Sequence, residues 1–254
     1  MSTKNKIAVV TGGSRGLGRD MAIKIAKKGI DVVITYNTNE GAANDVVKEI
    51  KSAGQRAKAL QLDASDVKSF EGFVVKLSSS LKTDFGSNSF DYLVNNGGTG
   101  AYGSITDTTE ETFDAMLNIH FKGVYFLTQK LLRLINDGGS IINVSSGLTR
   151  VMFPNVSAYA SMKGAIETYT KSLAKELGVR KITANVVAPG ATATDFGGGS
   201  NKNNEEKRKL IASMTALGRI GEPEDIGGVV AFLCTPEAGW INGQRIELSG
   251  GAVL

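Results

Sequence analysis

The chain has 254 residues, 41% of them apolar, with 31 glycines and only 4 prolines, a size at which one large core is expected in preference to two small ones. Its 29 basic and 25 acidic residues are dispersed and leave a net charge of +4, too mild for a nucleic-acid footprint. A single cysteine, Cys234, and a single histidine, His120, exclude an internal disulfide and a histidine-rich metal site, and with no signal-peptide core and no run near the roughly 20 apolar residues of a membrane span, a metal-free cytoplasmic protein is expected.

In chain order, short apolar runs alternate with longer amphipathic ones, the pattern of a parallel sheet covered on both faces by helices. A strand predicted at 7–11 leads through Thr11-Gly12-Gly13-Ser14-Arg15-Gly16-Leu17-Gly18 into a helix at 17–28. Backbone N–H groups and the dipole of a helix opening there would receive a pyrophosphate. Gly12 permits the tight turn, Gly16 lets a ligand approach and Gly18 lets the helix pack closely, with Ser14, Arg15 and Leu17 completing the expected lining. A turn that merely joins strand to helix is the alternative. The spacing is Gly-x-x-x-Gly-x-Gly and not the Gly-x-Gly-x-x-Gly of the longer dinucleotide fingerprint.

The second strand, 31–36, ends in Tyr36-Asn37-Thr38-Asn39 with no acidic residue to hold a free ribose 2′-hydroxyl. A 2′-phosphate would be repelled by a carboxylate and welcomed by Arg15, with Asn37 and Thr38 as donors. NADP(H) is therefore expected in preference to NAD(H), although Glu40 lies close by. After a helix at 41–53, a third strand at 56–62 closes on Leu62-Asp63-Ala64. Asp63, beside Ala64, either accepts from an adenine amino group or caps the next helix, a role open to Asp66 as well. That helix is predicted at 67–81, with Ser78 to Ser89 read as its end and a surface loop.

A fourth strand at 91–95 ends in Asn95-Asn96-Gly97-Gly98, and one long helix is predicted over 109–135. The fifth strand, 140–145, delivers Ser145-Ser146 ahead of a helix at 158–177 that carries Tyr159 and Lys163 four residues apart. Such positions stack on one helix face with a rise of about 6 Å, so an ammonium beside the phenol favours its ionised form. A phenol of ordinary pKa about 10 is thereby moved toward use as an acid or base. A sixth strand at 181–187 precedes Pro189-Gly190-Ala191-Thr192-Ala193-Thr194. The glycine cluster at 197–199 lies in a segment, 195–216, read either as a hinged lid or as an ordinary mobile loop, and a helix is predicted at 204–216. A helix at 224–233 and a strand at 244–248 complete one α/β domain of the Rossmann type spanning 1–254, a doubly wound, seven-stranded parallel sheet flanked by helices.

Four motifs in this order resemble those of the short-chain dehydrogenase/reductase superfamily, in its subgroup of about 250 residues: the glycine turn at 11–18, Asn95-Asn96-Gly97-Gly98, the Ser146/Tyr159/Lys163 set, and Pro189-Gly190 followed by Thr194. The match covers nearly the whole chain, with Gly97 standing where the superfamily usually has alanine, so looser packing is expected there. The resemblance implies that Ser146, thirteen residues before Tyr159, hydrogen-bonds a substrate carbonyl, that Tyr159 supplies the proton, and that Lys163 lowers the tyrosine pKa and binds the nicotinamide ribose. It implies that Asn118 kinks the long helix and holds a water near the lysine, the alternative being a mid-helix asparagine bonded to its own backbone. Ser145 is then structural or supporting, and His120, outside the set, a packed or interfacial residue. Asn95 and Gly97 belong to the expected cofactor wall, and Pro189, Gly190, Thr192 and Thr194 to the stretch facing the nicotinamide carboxamide.

The implied activity is NADPH-dependent reduction of a ketone to a secondary alcohol. The chain looks most like the 3-oxoacyl-[acyl-carrier-protein] reductase branch, whose substrate is an acyl thioester on a carrier protein, with Arg180-Lys181 as docking groups. A dehydrogenase of a sugar, polyol or small ketone is the alternative, and a non-catalytic NADP(H) sensor a third reading. Leu148, Arg150, Met152, Phe153 and residues 196–214 are expected to line the substrate pocket, Arg150 meeting either an acidic substrate group or solvent. The resemblance further implies a homotetramer built through the two long helices and the C-terminal strand, with no membrane or nucleic-acid partner.

Overall fold

A computed structural model describes residues 5–254. β1 (Ile7–Val10) is apolar on both sides and wholly buried, as the central strand of a helix-covered sheet must be. It pairs in parallel with β2 (Asp31–Tyr36) and with β4 (Phe90–Asn95), and β3 (Ala57–Gln61), β5 (Ile135–Val144), β6 (Thr183–Pro189) and β7 (Arg245–Leu248) extend the sheet in the order β3-β2-β1-β4-β5-β6-β7. The order reverses between β1 and β4, which opens a crevice at the carboxyl ends of those strands.

In chain order the helices are α1 (Gly16–Ala26), α2 (Glu40–Ser52), α3 (Phe70–Phe85), α4 (Glu110–Leu117), α5 (Gly123–Leu131), α6 (Ser157–Glu176), α7 (Ser200–Asn203), α8 (Glu205–Ser213) and α9 (Glu224–Leu233). On one face, Met21 and Ile25 of α1, Val46 and Ile50 of α2 and Val230 of α9 share a core with alternate residues of β1 and β2. On the other, Phe70 and Leu77 of α3, Leu127 and Leu131 of α5 and Leu173 of α6 do the same. Helix starts follow local chemistry: the Asn39, Thr109 and Asn204 side chains accept from Ala42 N, Thr112 N and Lys207 N at 2.9, 3.2 and 2.9 Å, satisfying N–H groups that have no helical partner. Among the described residues, no helix is long and apolar enough to cross a membrane.

Several boundaries differ from the sequence reading. The helix expected over 109–135 is broken: a π-turn, Asn118–Lys122, separates α4 from α5, and a short 3-10 turn, Leu132–Leu134, ends the helical run. β5 therefore starts at Ile135, where Ile135 pairs with Phe90, while Ser140 pairs with Tyr92, so the stretch between them bulges out, with Gly138 at φ 76°. The serines expected to end the third helix continue it instead, since Leu77, Leu81 and Phe85 keep the core-facing period and the helix stops only at Gly86, which adopts the left-handed conformation. β6 starts two residues late, at Thr183, because Lys181 takes a positive φ of 55°.

Candidate active site

The crevice has a volume of about 1120 Å³ and opens where β1, β4, β5 and β6 end. Its floor is built by close backbone approach. Gly12 has φ 64°, and a Cβ there would lie 2.8 Å from Gly97 Cα; a Cβ on Gly18 would lie 2.2 Å from the Gly12 carbonyl oxygen. Only glycine fits either place. Thr11 and Asn96 rivet the turn to the end of β4: Thr11 Oγ1 accepts from the N–H groups of Asn96 (3.0 Å) and Gly97 (2.9 Å), and Asn96 Nδ2 donates to the carbonyls of Thr11 and Gly12 at 3.0 and 3.2 Å. The residue before α1, Arg15, is extended and makes no capping bond with its side chain, so the first-turn N–H groups face the crevice as an anion site. Gly12, Ser14, Arg15, Gly16, Leu17, Gly18 and Gly97 all line it. This glycine-lined cradle at a helix N-terminus fits the diphosphate of a dinucleotide.

Asn95, expected on the same wall, lies behind it. Its buried amide donates to Asn143 Oδ1 (2.8 Å) and Thr128 Oγ1 (3.0 Å), and Asn143 Nδ2 continues to Thr170 Oγ1 (2.9 Å). The chain of amides and hydroxyls ties β4 and β5 to α5 and α6, and Asn96 is the residue of the pair that lines the crevice.

Beyond the end of β2, Asn37, Thr38, Asp63 and Ala64 line the outer crevice with Arg15. The Arg15 side chain is exposed and in no ion pair among the described residues, and burial first, with the Glu40 charge second, pushes the Tyr36 phenol up. Asp63 Oδ1 accepts from Ser65 N and Ser65 Oγ at 2.9 and 2.6 Å, and Asp66 caps the short turn after it through Lys68 N at 3.0 Å.

At the inner end, Ser146 follows β5 and Tyr159 and Lys163 occupy the first two turns of α6; all three line the crevice. Lys163 is 5% exposed, its Nζ donates to the Val144 carbonyl at 2.8 Å, and it lies 5.6 Å from the Tyr159 ring centre. Burial pulls the lysine down to about 8. Burial also pushes the Tyr159 phenol above its ordinary value, with the Ser146 hydroxyl drawing it back and Tyr102 adding to the rise. The expected lowering of the phenol by Lys163 is not among the causes of this shift: desolvation dominates, and the one opposing contribution comes from Ser146. Ser145 has the supporting role: its Oγ donates to Glu167 Oε1 (2.7 Å), a carboxylate also held by Thr149 Oγ1 and Arg245 Nε at 2.7 Å each.

Asn118 opens the π-turn, at the expected break in the long helix, but does not line the crevice. His120, two residues on, lines it instead. It is 1% exposed, its Nε2 lies 2.6 Å from the Thr99 carbonyl oxygen, and its ring stands edge-on to Tyr159 with centres 5.0 Å apart. Burial first, and the Lys163 charge second, push the imidazole down to about 3, so it is neutral at ordinary pH.

Pro189, Gly190, Thr192 and Thr194 line the crevice beside Ser146, and Leu148, Arg150 and Phe153 continue outward, while Met152 does not line it and stands 64% exposed. Arg150 is exposed on the pocket rim, where its guanidinium donates to the carbonyls of Ala252 (2.6 Å) and Val253 (3.2 Å), drawing the C-terminal stretch onto the rim, with the Glu247 carboxylate 3.6 Å away. In segment 195–216, Gly197, Gly198 and Gly199 all have positive φ, and Phe196 reaches to 5.8 Å from the Tyr159 ring. Tyr102, Ala252 and Val253 also line the pocket. Sequence patterning does not mark them, since they sit in irregular stretches with no period.

Fold and site together define an oxidoreductase with a nicotinamide-dinucleotide cradle and a serine–tyrosine–lysine group at its inner end. A family model described as enoyl-(acyl carrier protein) reductase matches residues 12–253. The hydroxynaphthalene reductase-like protein Arp2 of Metarhizium brunneum is 37% identical, with 99% of this chain and 96% of that protein covered. The structure of LugOII, described as a promiscuous reductase that catalyses keto-reduction at C1 in lugdunomycin biosynthesis, is 38% identical, superposes with a TM-score of 0.93 and is covered to 100% in both chains. The angucycline C-6 ketoreductase LanV with bound NADP is likewise 38% identical, with a TM-score of 0.93 and coverage of 98% and 95%. The chain belongs to the short-chain dehydrogenase/reductase family.

Proposed function

We propose that this enzyme reduces a ketone on a flat, largely apolar small molecule to a secondary alcohol, with NADPH as reductant. The observation that carries the reading is the convergence of Ser146, Tyr159 and Lys163 on one crevice whose other end is a diphosphate cradle. A bound nicotinamide supplies the hydride. The Ser146 hydroxyl donates to the substrate carbonyl oxygen and stabilises the negative charge that grows there. Tyr159 gives its phenolic proton to that oxygen, and the Lys163 ammonium beside it stabilises the phenolate left behind. Burial of this pair out of bulk water makes the charge interaction stronger than it would be at the surface.

NADP(H) is supported over NAD(H) by Arg15, Asn37 and Thr38 on the outer wall. The substrate class is supported by Tyr102, Phe153, Phe196, Leu210, Ile211 and Met214, which line the outer pocket; the names of LanV and the Arp2 relative point the same way. An acyl-carrier-protein substrate has less support: Arg180, the expected docking cation, is held by Asp137 at 2.7 Å and by the carbonyls of Leu132 and Ile135 at 3.0 and 2.5 Å. For assembly, we propose the homotetramer implied by the resemblance. Phe113, Tyr125, Trp240 and Leu254 are exposed apolar side chains on the helices and C-terminal stretch that it would cover, and light scattering tests it, a monomer being the contrary result.

The activity is tested by following nicotinamide absorbance with NADPH and with NADH against fused-ring aromatic ketones, β-ketoacyl thioesters and sugars. Turnover of the aromatic ketones with NADPH is expected. Replacing Tyr159 with Phe should lower kcat by about 10²- to 10⁴-fold, the usual contribution of a positioned acid, while NADPH affinity changes little; full turnover in that variant would refute the assignment.

A further inference from the structure

We infer that His120 is a positioning residue for the Tyr159–Lys163 pair: its imidazole buttresses the phenol ring, and its Nδ1 accepts a hydrogen bond from the Lys163 side of the loaded site. The inference rests on the ketone-reductase reading. Three features meet at this side chain. First, the ring stands at 90° to Tyr159 with centres 5.0 Å apart, an edge-on contact that fixes the phenol laterally. Second, Nε2 lies 2.6 Å from the Thr99 carbonyl oxygen. A carbonyl only accepts, so Nε2 carries the proton and Nδ1 presents a bare lone pair.

Third, that lone pair is buried and has no partner among the described residues. Buried acceptors are nearly always paired, so one orphaned on a crevice wall points to a donor that arrives with the loaded site. Lys163 is the cation whose field reaches the imidazole, and of the three N–H groups on its ammonium one is directed at Val144 O at 2.8 Å, leaving others free to supply that donor directly or through one water. Tyr159 faces the lysine from its own helix, and Glu167, one turn further, is taken up by Ser145, Thr149 and Arg245.

The loop after β4 packs along the Cε1–Nδ1 edge of the ring and holds it in place. A Cβ on Gly98 would stand 2.5 Å from His120 Cε1 and 3.0 Å from Nδ1, so the loop after β4 presses against the imidazole. The π-turn at Asn118–Lys122 adds a residue to the local turn, and it is His120 that faces α6 there. A neutral acceptor beside Lys163 favours its charged form, the form that stabilises the Tyr159 phenolate.

The test compares His120→Leu, His120→Asn and Asn118→Ala with the wild-type enzyme by steady-state kinetics and thermal unfolding. Leucine fills the space and suits a buried place but accepts nothing; asparagine keeps an acceptor. Loss of a hydrogen bond to a charged group predicts that His120→Leu lowers kcat about 10- to 100-fold, with the KM for NADPH within about threefold. His120→Asn should recover kcat to within about fivefold of wild type while having the lower Tm of the two, and Asn118→Ala should lose less than His120→Leu. Long-range proton–nitrogen NMR of the single histidine should show a neutral, Nε2-protonated ring whose Nδ1 resonance moves upfield when NADP⁺ is added. Equal losses in the leucine and asparagine variants, losses that follow Tm, or a ring protonated on Nδ1 would overturn the inference. A wild-type chain silent on every ketone overturns it together with the reading beneath it; a Tyr159→Phe variant that is dead beside a fully active His120→Leu overturns the inference alone.

Discussion

Gly12 and Gly97 face each other across the floor of the crevice, and only one of them has to be glycine. Gly12 combines φ 64° with a neighbour 2.8 Å from where its Cβ would be, whereas a methyl on Gly97 would sit 3.4 Å from Thr11 Oγ1, an ordinary contact, on a backbone without positive φ. Gly97→Ala should therefore stabilise the fold by about 0.4–1 kcal/mol, by restricting the unfolded chain. Urea titration reads this as a higher midpoint at constant m; a lower midpoint would mean the crevice floor has no room for the methyl. Single residues differ in how much of this was open to sequence reasoning. Ser146, Tyr159 and Lys163 could be found because their spacing is set by one strand end and one regular helix. Asn118 could not be told from His120, because a π-turn breaks the 3.6-residue period on which facing is reckoned. The partners of Arg150 and Arg180 were hidden for a different reason: both guanidiniums are held by backbone carbonyls, and carbonyls carry no sequence signal.

The π-turn also governs how two elements meet at the crevice rim. A Cβ on Gly123 would lie 1.9 Å from the Ala64 carbonyl oxygen and 2.7 Å from that of Asn118, so the start of α5 is pressed against the loop that follows β3. That loop contributes Asp63 and Ala64 to the crevice wall. Gly123→Ala should force the two apart, destabilising the protein by about 1–3 kcal/mol in the manner of an overpacked core and weakening NADPH binding by displacing the wall. Thermal unfolding and a fluorescence titration with NADPH check both effects, and an unchanged Tm with unchanged affinity would show that the turn yields freely. Elements with a sustained apolar period, such as β1, β2 and α6, were legible within a few residues. The start of β5 was not, because Asn136-Asp137-Gly138-Gly139 reads as a loop, yet Ile135 before it is already paired with β4. The third helix ran past its expected end because serines on a helix signal a stop only when no core-facing residues continue the period beyond them.

For the molecule as a whole, a site assembled from strand ends inside the fold makes the titration of its buried groups a part of global stability. His120 is the one histidine of the chain, and burial, followed by the charge of Lys163, moves its pKa from 6.5 to about 3. Between those values the unfolded chain binds a proton that the folded chain refuses, so stability rises with pH across this window and is lost as pH falls below about 6.5, with a limiting slope near 1.4 kcal/mol per pH unit. From pH 7 to pH 5 the loss from this group alone should be about 2 kcal/mol. Lys163, with a pKa pulled to about 8, is protonated in both states over that interval, and Tyr159, pushed upward, is protonated as well. Carboxylates lowered in the fold, such as Glu167, act in the same direction chiefly below their unfolded values of about 4, and Asp20, raised by burial, acts oppositely. Both contributions persist in a His120→Asn variant, so the difference between the two proteins isolates the imidazole. Urea unfolding at pH 7 and pH 5 should show the wild-type chain losing about 2 kcal/mol more than the variant over this interval. Equal losses would mean that the imidazole takes up a proton within the fold, and that the space between Thr99 and Tyr159 is wet enough to hold a charge.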